Sequence, residues 1–100
     1  MSRWEIFAGQ VIVITGAASG FGRILTTKLA AEGAKLVVAD INRETLDNVV
    51  SELGDASQVV ACTCDVASEA QVEALVAMAR DTFGRLDIMV NNAGLGTTPR

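Results

Sequence analysis

The sequence predicts an α/β fold, a doubly wound parallel sheet covered by helices on both faces in three αβα layers. Three observations predict it. Short apolar runs rich in β-branched residues alternate with stretches of helical periodicity. Glycines at 33, 54 and 84 stand where each helical stretch stops. The strand candidates are apolar throughout instead of alternating with polar residues, as expected of parallel strands buried on both sides.

Val11 to Thr15 reads as strand one, ending in a glycine-rich turn. A helix follows from Phe21 to Glu32, with Phe21, Leu25 and Leu29 expected on one inward face and Gly33 at its C-terminal cap. Leu36 to Ala39 forms strand two. Asn42 caps helix two, whose Leu46, Val49, Val50 and Leu53 recur at the helical period before Gly54. Val59 to Cys64 forms strand three. Ser68-Glu69-Ala70-Gln71 is a capping box opening helix three, whose Val72, Leu75, Val76, Ala79 and Phe83 share a stripe that Gly84 ends. Leu86 to Val90 forms strand four. Right-handed crossovers place the four strands in the order 3-2-1-4, and residues 1–100 read as one domain.

Composition narrows the function. Half of the residues are hydrophobic, enough for a core, and the formal net charge is −4. The mixed charges leave no basic patch for a nucleic acid and no polybasic stretch for a membrane surface. The run Val11 to Ile14 is far shorter than the ~20 residues of a spanning helix. Met1 to Gln10 mixes Arg3, Trp4 and Glu5 without the apolar stretch of a signal peptide, so a cytoplasmic location is expected. Cys62 and Cys64, two apart on a strand, share a face and make a poor disulfide pair; they are expected as core thiols. A metal site at C-x-C would need further ligands, and no metal is expected.

The turn after strand one carries the first chemical signal. It reads Thr15-Gly16-Ala17-Ala18-Ser19-Gly20-Phe21-Gly22. Gly16 permits a tight exit from the strand, Gly20 lets backbone approach a pyrophosphate, and Gly22 allows close packing of the helix on the sheet. The helix N-terminus offers free N–H groups to phosphates. Three glycines between a strand and a helix could alone be turn chemistry. Their spacing, T-G-x-x-x-G-x-G, resembles the cofactor motif of the short-chain dehydrogenase/reductase family, whose members have a Rossmann-type fold. Asp40 ends strand two, eighteen residues after Gly22. An acidic residue there hydrogen-bonds the adenosine ribose hydroxyls; it could at the same time stabilise helix two through its dipole, though its position at the carboxyl end of the strand favours the ribose. Its charge would repel the 2′-phosphate of NADP, so NAD is the expected cofactor. No basic residue immediately follows Asp40, and Ser19 is neutral where NADP-preferring relatives often carry a base. Arg43 is the nearby cation that could approach the 2′ position.

The resemblance assigns two further sites. It implies that Asp65 accepts the exocyclic amine of adenine while the backbone N–H of Val66 meets a ring nitrogen; Asp65 could also cap the turn before Ser68. It implies that Asn91-Asn92-Ala93-Gly94, the family's N-N-A-G motif, ties neighbouring strands and lies against the ribose and pyrophosphate. The resemblance runs from about Ala8 to Gly96.

What the family implies also exposes a gap. Its members transfer hydride between nicotinamide and an alcohol or carbonyl carbon, using a tyrosine and lysine in Y-x-x-x-K, a serine and an asparagine. None of those positions exists here, and the sequence contains no tyrosine and no histidine. No catalytic residue is therefore assigned, and the chain is expected to be the cofactor-binding N-terminal portion, with Ile88-Met89-Val90 as an apolar sheet edge. At full length the resemblance implies a small alcohol or carbonyl substrate and a homo-oligomer, dimer or tetramer. A non-catalytic NAD-binding module is the competing reading. A methyltransferase-like fold binding S-adenosylmethionine is a third, disfavoured by the glycine spacing.

Overall fold

The structure is a computed structural model that describes residues 3–54 and 57–92. Ala93 and Gly94 of the fourth motif lie outside the described residues. The elements are β1 (Val11–Thr15), α1 (Gly20–Ala31), β2 (Lys35–Asp40), α2 (Arg43–Glu52), β3 (Gln58–Thr63), α3 (Glu69–Phe83) and β4 (Ile88–Val90). All strand pairs are parallel and the order is β3-β2-β1-β4, as the sequence predicts.

Every residue of β1 is at most 1% exposed. Its backbone is shut off from water and must bond within the protein, and it pairs with both β2 and β4. Side chains alternate between the two faces. Ile12, Ile14, Leu36 and Val38 meet Leu29 of α1 and Leu46 of α2. Val11, Val13, Val37 and Ala39 meet Leu75 and Ala79 of α3. The register pairs Thr15 with Ala39, Asp40 with Thr63, and Ile14 with Val90. All four carboxyl ends thus open on one edge of the sheet.

Three expectations need correction. Phe21 does not face the core: it is 60% exposed, and the inward residues of α1 are Gly22, Thr26 and Leu29. The close approach of Gly22 to the turn rotates the helix so that Phe21 faces away. Strand four is shorter than expected, because pairing with β1 begins only at Ile88. Strand three is displaced by one residue, although Cys64 N–H still donates to the Asp40 carbonyl at 3.1 Å.

The sequence reading also missed a one-turn 3-10 helix at Arg3–Phe7. Its Trp4 and Phe7 rings lie 5.7 Å apart, and the Lys28 ammonium stands 5.5 Å from the Trp4 ring centroid, holding the segment against the end of α1.

Asp87 starts β4 with its side chain. Its Oδ2 accepts from Val11 N–H at 2.8 Å, and its own N–H donates to the Val11 carbonyl at 2.9 Å. Oδ1 accepts from Arg85 at 2.7 Å and 3.0 Å. The Arg85 hydrogen bonds and then the Val11 N–H hold the Asp87 carboxyl below the ordinary carboxylate range. A depressed folded-state pKa adds stability that is present above the unfolded value, about 3.9 for Asp, and is lost as pH falls through the folded value. Asp87→Ala is expected to lower the thermal midpoint at pH 7, with the gap to the unmodified chain narrowing below about pH 4. Circular-dichroism melts from pH 7 to pH 3 check this; a gap that does not change with pH would refute the ionic role.

Candidate functional site

A cleft of about 550 Å³ opens where the strands end. It is lined by Gly16, Ser19, Gly20 and Phe21 from the first turn, Asp40 and Ile41 after β2, Cys64, Asp65 and Val66 after β3, and Asn92 after β4. Four separate chain segments meet there because the parallel register ends them together.

The turn is built by close backbone contact. Gly16 turns out of β1 with φ +65° and Gly20 enters α1 with φ +57°, conformations that side-chain-bearing residues rarely adopt. A Cβ on Gly22 would collide with the Gly16 carbonyl and lie 2.7 Å from Asn92 Nδ2. The glycine therefore serves contact between helix and turn more than contact between helix and sheet. Around Gly20 a Cβ would meet nothing within 4 Å, so that stretch of backbone faces open space.

The start of α1 differs from those of its neighbours. Asn42 caps α2 by accepting from Thr45 N–H, and Ser68 caps α3 by accepting from Gln71 N–H. Ser19, at the same place on α1, makes no side-chain cap, and the first turn of α1 carries no acidic residue. Its N–H groups and the positive end of the helix dipole are left facing the cleft, an arrangement suited to an anion.

Asp40 is half-buried and works in two directions. Its Oδ2 accepts from Ala18 N–H at 3.1 Å and its Oδ1 from Asn42 N–H at 3.0 Å. With Ala17 N–H donating to the Ala39 carbonyl at 3.0 Å, the glycine turn is stitched to the end of β2. An ionised carboxylate has about four acceptor positions, so two remain for hydroxyl donors. Both readings of Asp40, structural and ligand-facing, are compatible in one residue.

At the end of β3, Asp65 Oδ1 accepts from Ala67 N–H at 2.9 Å, while Val66 projects into the cleft at 38% exposed. The capping box differs from expectation. Ser68 Oγ accepts from Gln71 N–H, but Gln71 Oε1 accepts from Asp65 N–H at 2.8 Å and not from Ser68 N–H, which donates to the Asp65 carbonyl at 2.9 Å.

The asparagines brace the site from β4. Asn92 Nδ2 donates to the Gly16 carbonyl at 3.3 Å. The Thr15 hydroxyl lies 3.3 Å from Asn91 Oδ1 and 3.4 Å from the Val90 carbonyl. Of the expected site residues described, Thr15, Gly22 and Asn91 stand behind the lining and the rest contribute to it.

Sequence reasoning missed Ile41 and Cys64. Ile41 is 68% exposed beside Asp40; a large aliphatic residue in a strand-to-helix connection that needs none was the available signal. Cys64 packs in the α3-side core and also floors the cleft. Burial first, then the neighbouring Cys62 and Asp65 charges, push its thiol pKa up, which keeps it protonated and poorly nucleophilic. Both cysteines are free, and among the described residues no metal-ligating cluster gathers.

Gly22→Ala is expected to destabilise the chain by roughly 1–3 kcal/mol, the usual cost of overpacking, through the Gly16 carbonyl and Asn92. Urea unfolding measures it; a loss below about 0.5 kcal/mol would show that the turn yields without cost.

Comparison with known proteins gives a consistent result. The family model described as short chain dehydrogenase matches residues 10–100. The 7alpha-hydroxysteroid dehydrogenase of Escherichia coli K12 is 42% identical over 89 residues, covering 88% of this chain and 35% of the relative. Levodione reductase of Leifsonia aquatica is 44% identical over 92 residues, covering 89% of this chain and 34% of the relative. The crystal structure of 3-ketoacyl-(acyl-carrier-protein) reductase from Brucella melitensis, complexed with NADH, superposes with a TM-score of 0.81 at 42% identity, covering 94% of this chain and 38% of that one. The chain thus spans about a third of the length of the curated relatives it matches. Among the described residues no helix is long and apolar enough to cross a membrane.

Proposed function

Because this chain belongs to the short-chain dehydrogenase family, we propose that it supplies the NAD site of an oxidoreductase acting on an alcohol/ketone pair. The observation that carries this reading is the convergence of the uncapped α1 N-terminus, Asp40 and the Asp65-Val66 turn on one cleft. The residues fit the cofactor. Open space over Gly20 leaves room for a pyrophosphate against backbone, and the first-turn N–H groups of α1 would hold its oxygens. Asp40 would take the adenosine ribose hydroxyls with its two remaining acceptor positions. Asp65 Oδ2 would accept from the adenine amine, the Val66 N–H would donate to a ring nitrogen, and Ile41 and Val66 would offer apolar surface to the base. When bound, the cofactor supplies or takes up hydride.

The preference for NAD follows from charge. In this reading the Asp40 carboxylate would meet the 2′-phosphate that NADP carries and NAD lacks. Ser19 is neutral, and Arg43 is engaged elsewhere: its Nε donates to Asp47 Oδ1 at 2.9 Å and its Nη1 to the Ala61 carbonyl at 3.5 Å. NAD is expected to bind about tenfold or more tighter than NADP, and Asp40→Ala to narrow the gap. Titration calorimetry tests this, with the Asp40→Ala melt recorded alongside because that residue also holds Ala18. Equal affinity for the two cofactors in the unmodified chain would sink the charge argument.

A second reading, binding without turnover, is favoured by the acid/base inventory. The 100-residue chain holds no tyrosine and no histidine, and the titratable groups in the cleft are Asp40, Cys64 and Asp65, all placed at the adenosine side in this reading. A positioned acid/base contributes typically 10²–10⁴-fold in rate. These 100 residues alone are expected to bind NAD without oxidising alcohols or reducing ketones. An absorbance assay of NADH formation and consumption over an alcohol and ketone panel checks this, and turnover by the chain alone would overturn the division of labour.

A further inference from the structure

We infer that Gln71, in the first turn of α3, is a positioning residue that sets the adenine selectivity of the cleft through Asp65. The inference rests on the reading of Asp65-Val66 as the adenine contact.

The backbone directions at the end of β3 explain the need. β3 is a sheet edge, paired only with β2 among the described residues. Cys64 N–H points to β2 and finds the Asp40 carbonyl at 3.1 Å. The next N–H along a strand points the opposite way, so Asp65 N–H faces the open side, where no strand can accept it. Gln71 Oε1 accepts it at 2.8 Å across six residues of chain. The donor being a backbone N–H, the accepting atom must be the amide oxygen.

The consequence is a residue held at three atoms. Asp65 N–H is bound by Gln71, its carbonyl by Ser68 N–H at 2.9 Å, and its Oδ1 by Ala67 N–H at 2.9 Å. These bonds fix both the backbone and the carboxylate plane. Oδ2 and the N–H of Val66 bond to nothing among the described residues, and both residues line the cleft. An acceptor and a donor at adjoining positions form the complement of adenine, whose amine donates beside a ring nitrogen that accepts. Hypoxanthine presents a carbonyl in place of that amine and would set its oxygen against the carboxylate. Without Gln71 the Asp65 N–H would seek water and the turn would lose one of its three restraints.

A capping residue that served only α3 would change stability without changing base selectivity. The test therefore compares two cofactors on the full chain, NAD and nicotinamide hypoxanthine dinucleotide, by titration calorimetry. In the unmodified protein NAD is expected to bind more tightly. In Gln71→Ala the NAD affinity is expected to fall about 3- to 10-fold, the effect of one hydrogen bond, with a smaller fall for the hypoxanthine analogue. Gln71→Glu, which keeps an acceptor oxygen, is expected to restore the selectivity ratio. An unchanged ratio in folded Gln71→Ala overturns the role of Gln71. Equal binding of both cofactors by the unmodified chain overturns the Asp65-Val66 reading and this inference with it. Amide hydrogen exchange of the unmodified chain gives a test free of any variant: Asp65 N–H is expected to exchange slowly despite its edge position, and Val66 N–H to slow only on adding adenosine 5′-monophosphate. Rapid exchange at Asp65 overturns the inference.

Discussion

A strand with no access to water must satisfy every backbone group from its neighbours, and β1 is such a strand. Its flanks belong to β2 and β4, and its two faces belong to α1 and α2 on one side and α3 on the other. The parallel register that follows is what brings Thr15, Asp40, Asp65 and Asn92 to one edge from positions far apart in the chain. Asp87 secures the other end of the same strand, where the backbone of Val11 would otherwise leave the ladder.

At the cleft, single side chains serve more than one contact. The carboxylate of Asp40 ties the glycine turn to β2 while keeping acceptor positions toward the cleft. Asn92 holds the carbonyl of Gly16 and also lines the cavity. Economy of this kind makes single-residue tests ambiguous unless folding is followed alongside binding. It also ties Asp40 and Asn92, which line the cleft, to the backbone of the glycine turn. The N-terminus of α1 is the deliberate exception: its first turn lacks the side-chain cap that the other two helices possess.

Legibility in the sequence varied with the physics behind each signal. Strands and helices were readable because burial on both faces leaves an unbroken apolar run, and a buried helix face repeats at its own period. The glycine spacing was readable because a left-handed turn and a backbone contact admit little else. Phe21 was misassigned because an apolar residue at helical spacing does not reveal which way the helix is turned about its axis; the packing of Gly22 on Gly16 determined that. Ile41 carries a weaker signal, a large aliphatic residue in a connection that needs none, and its place in the cleft follows only from its exposure. The capping box was recognised in kind, yet the partner of Gln71 depended on the Asp65 carbonyl having already taken the N–H of Ser68.

By itself the sequence determined the order of elements, the parallel sheet, the family resemblance and the acidic residue at the end of strand two. These follow from local chemistry: propensity, periodicity, and the few residue types that a turn tolerates. Tertiary structure decided which atoms of those residues stay available. Asp40, Asp65 and Asn92 each have several bonding positions, and only the packed fold shows which are taken by neighbouring backbone and which face the cleft. Hydrogen-bonding capacity is fixed by residue type, but its allocation depends on what long-range contact brings within 3 Å or so of each atom.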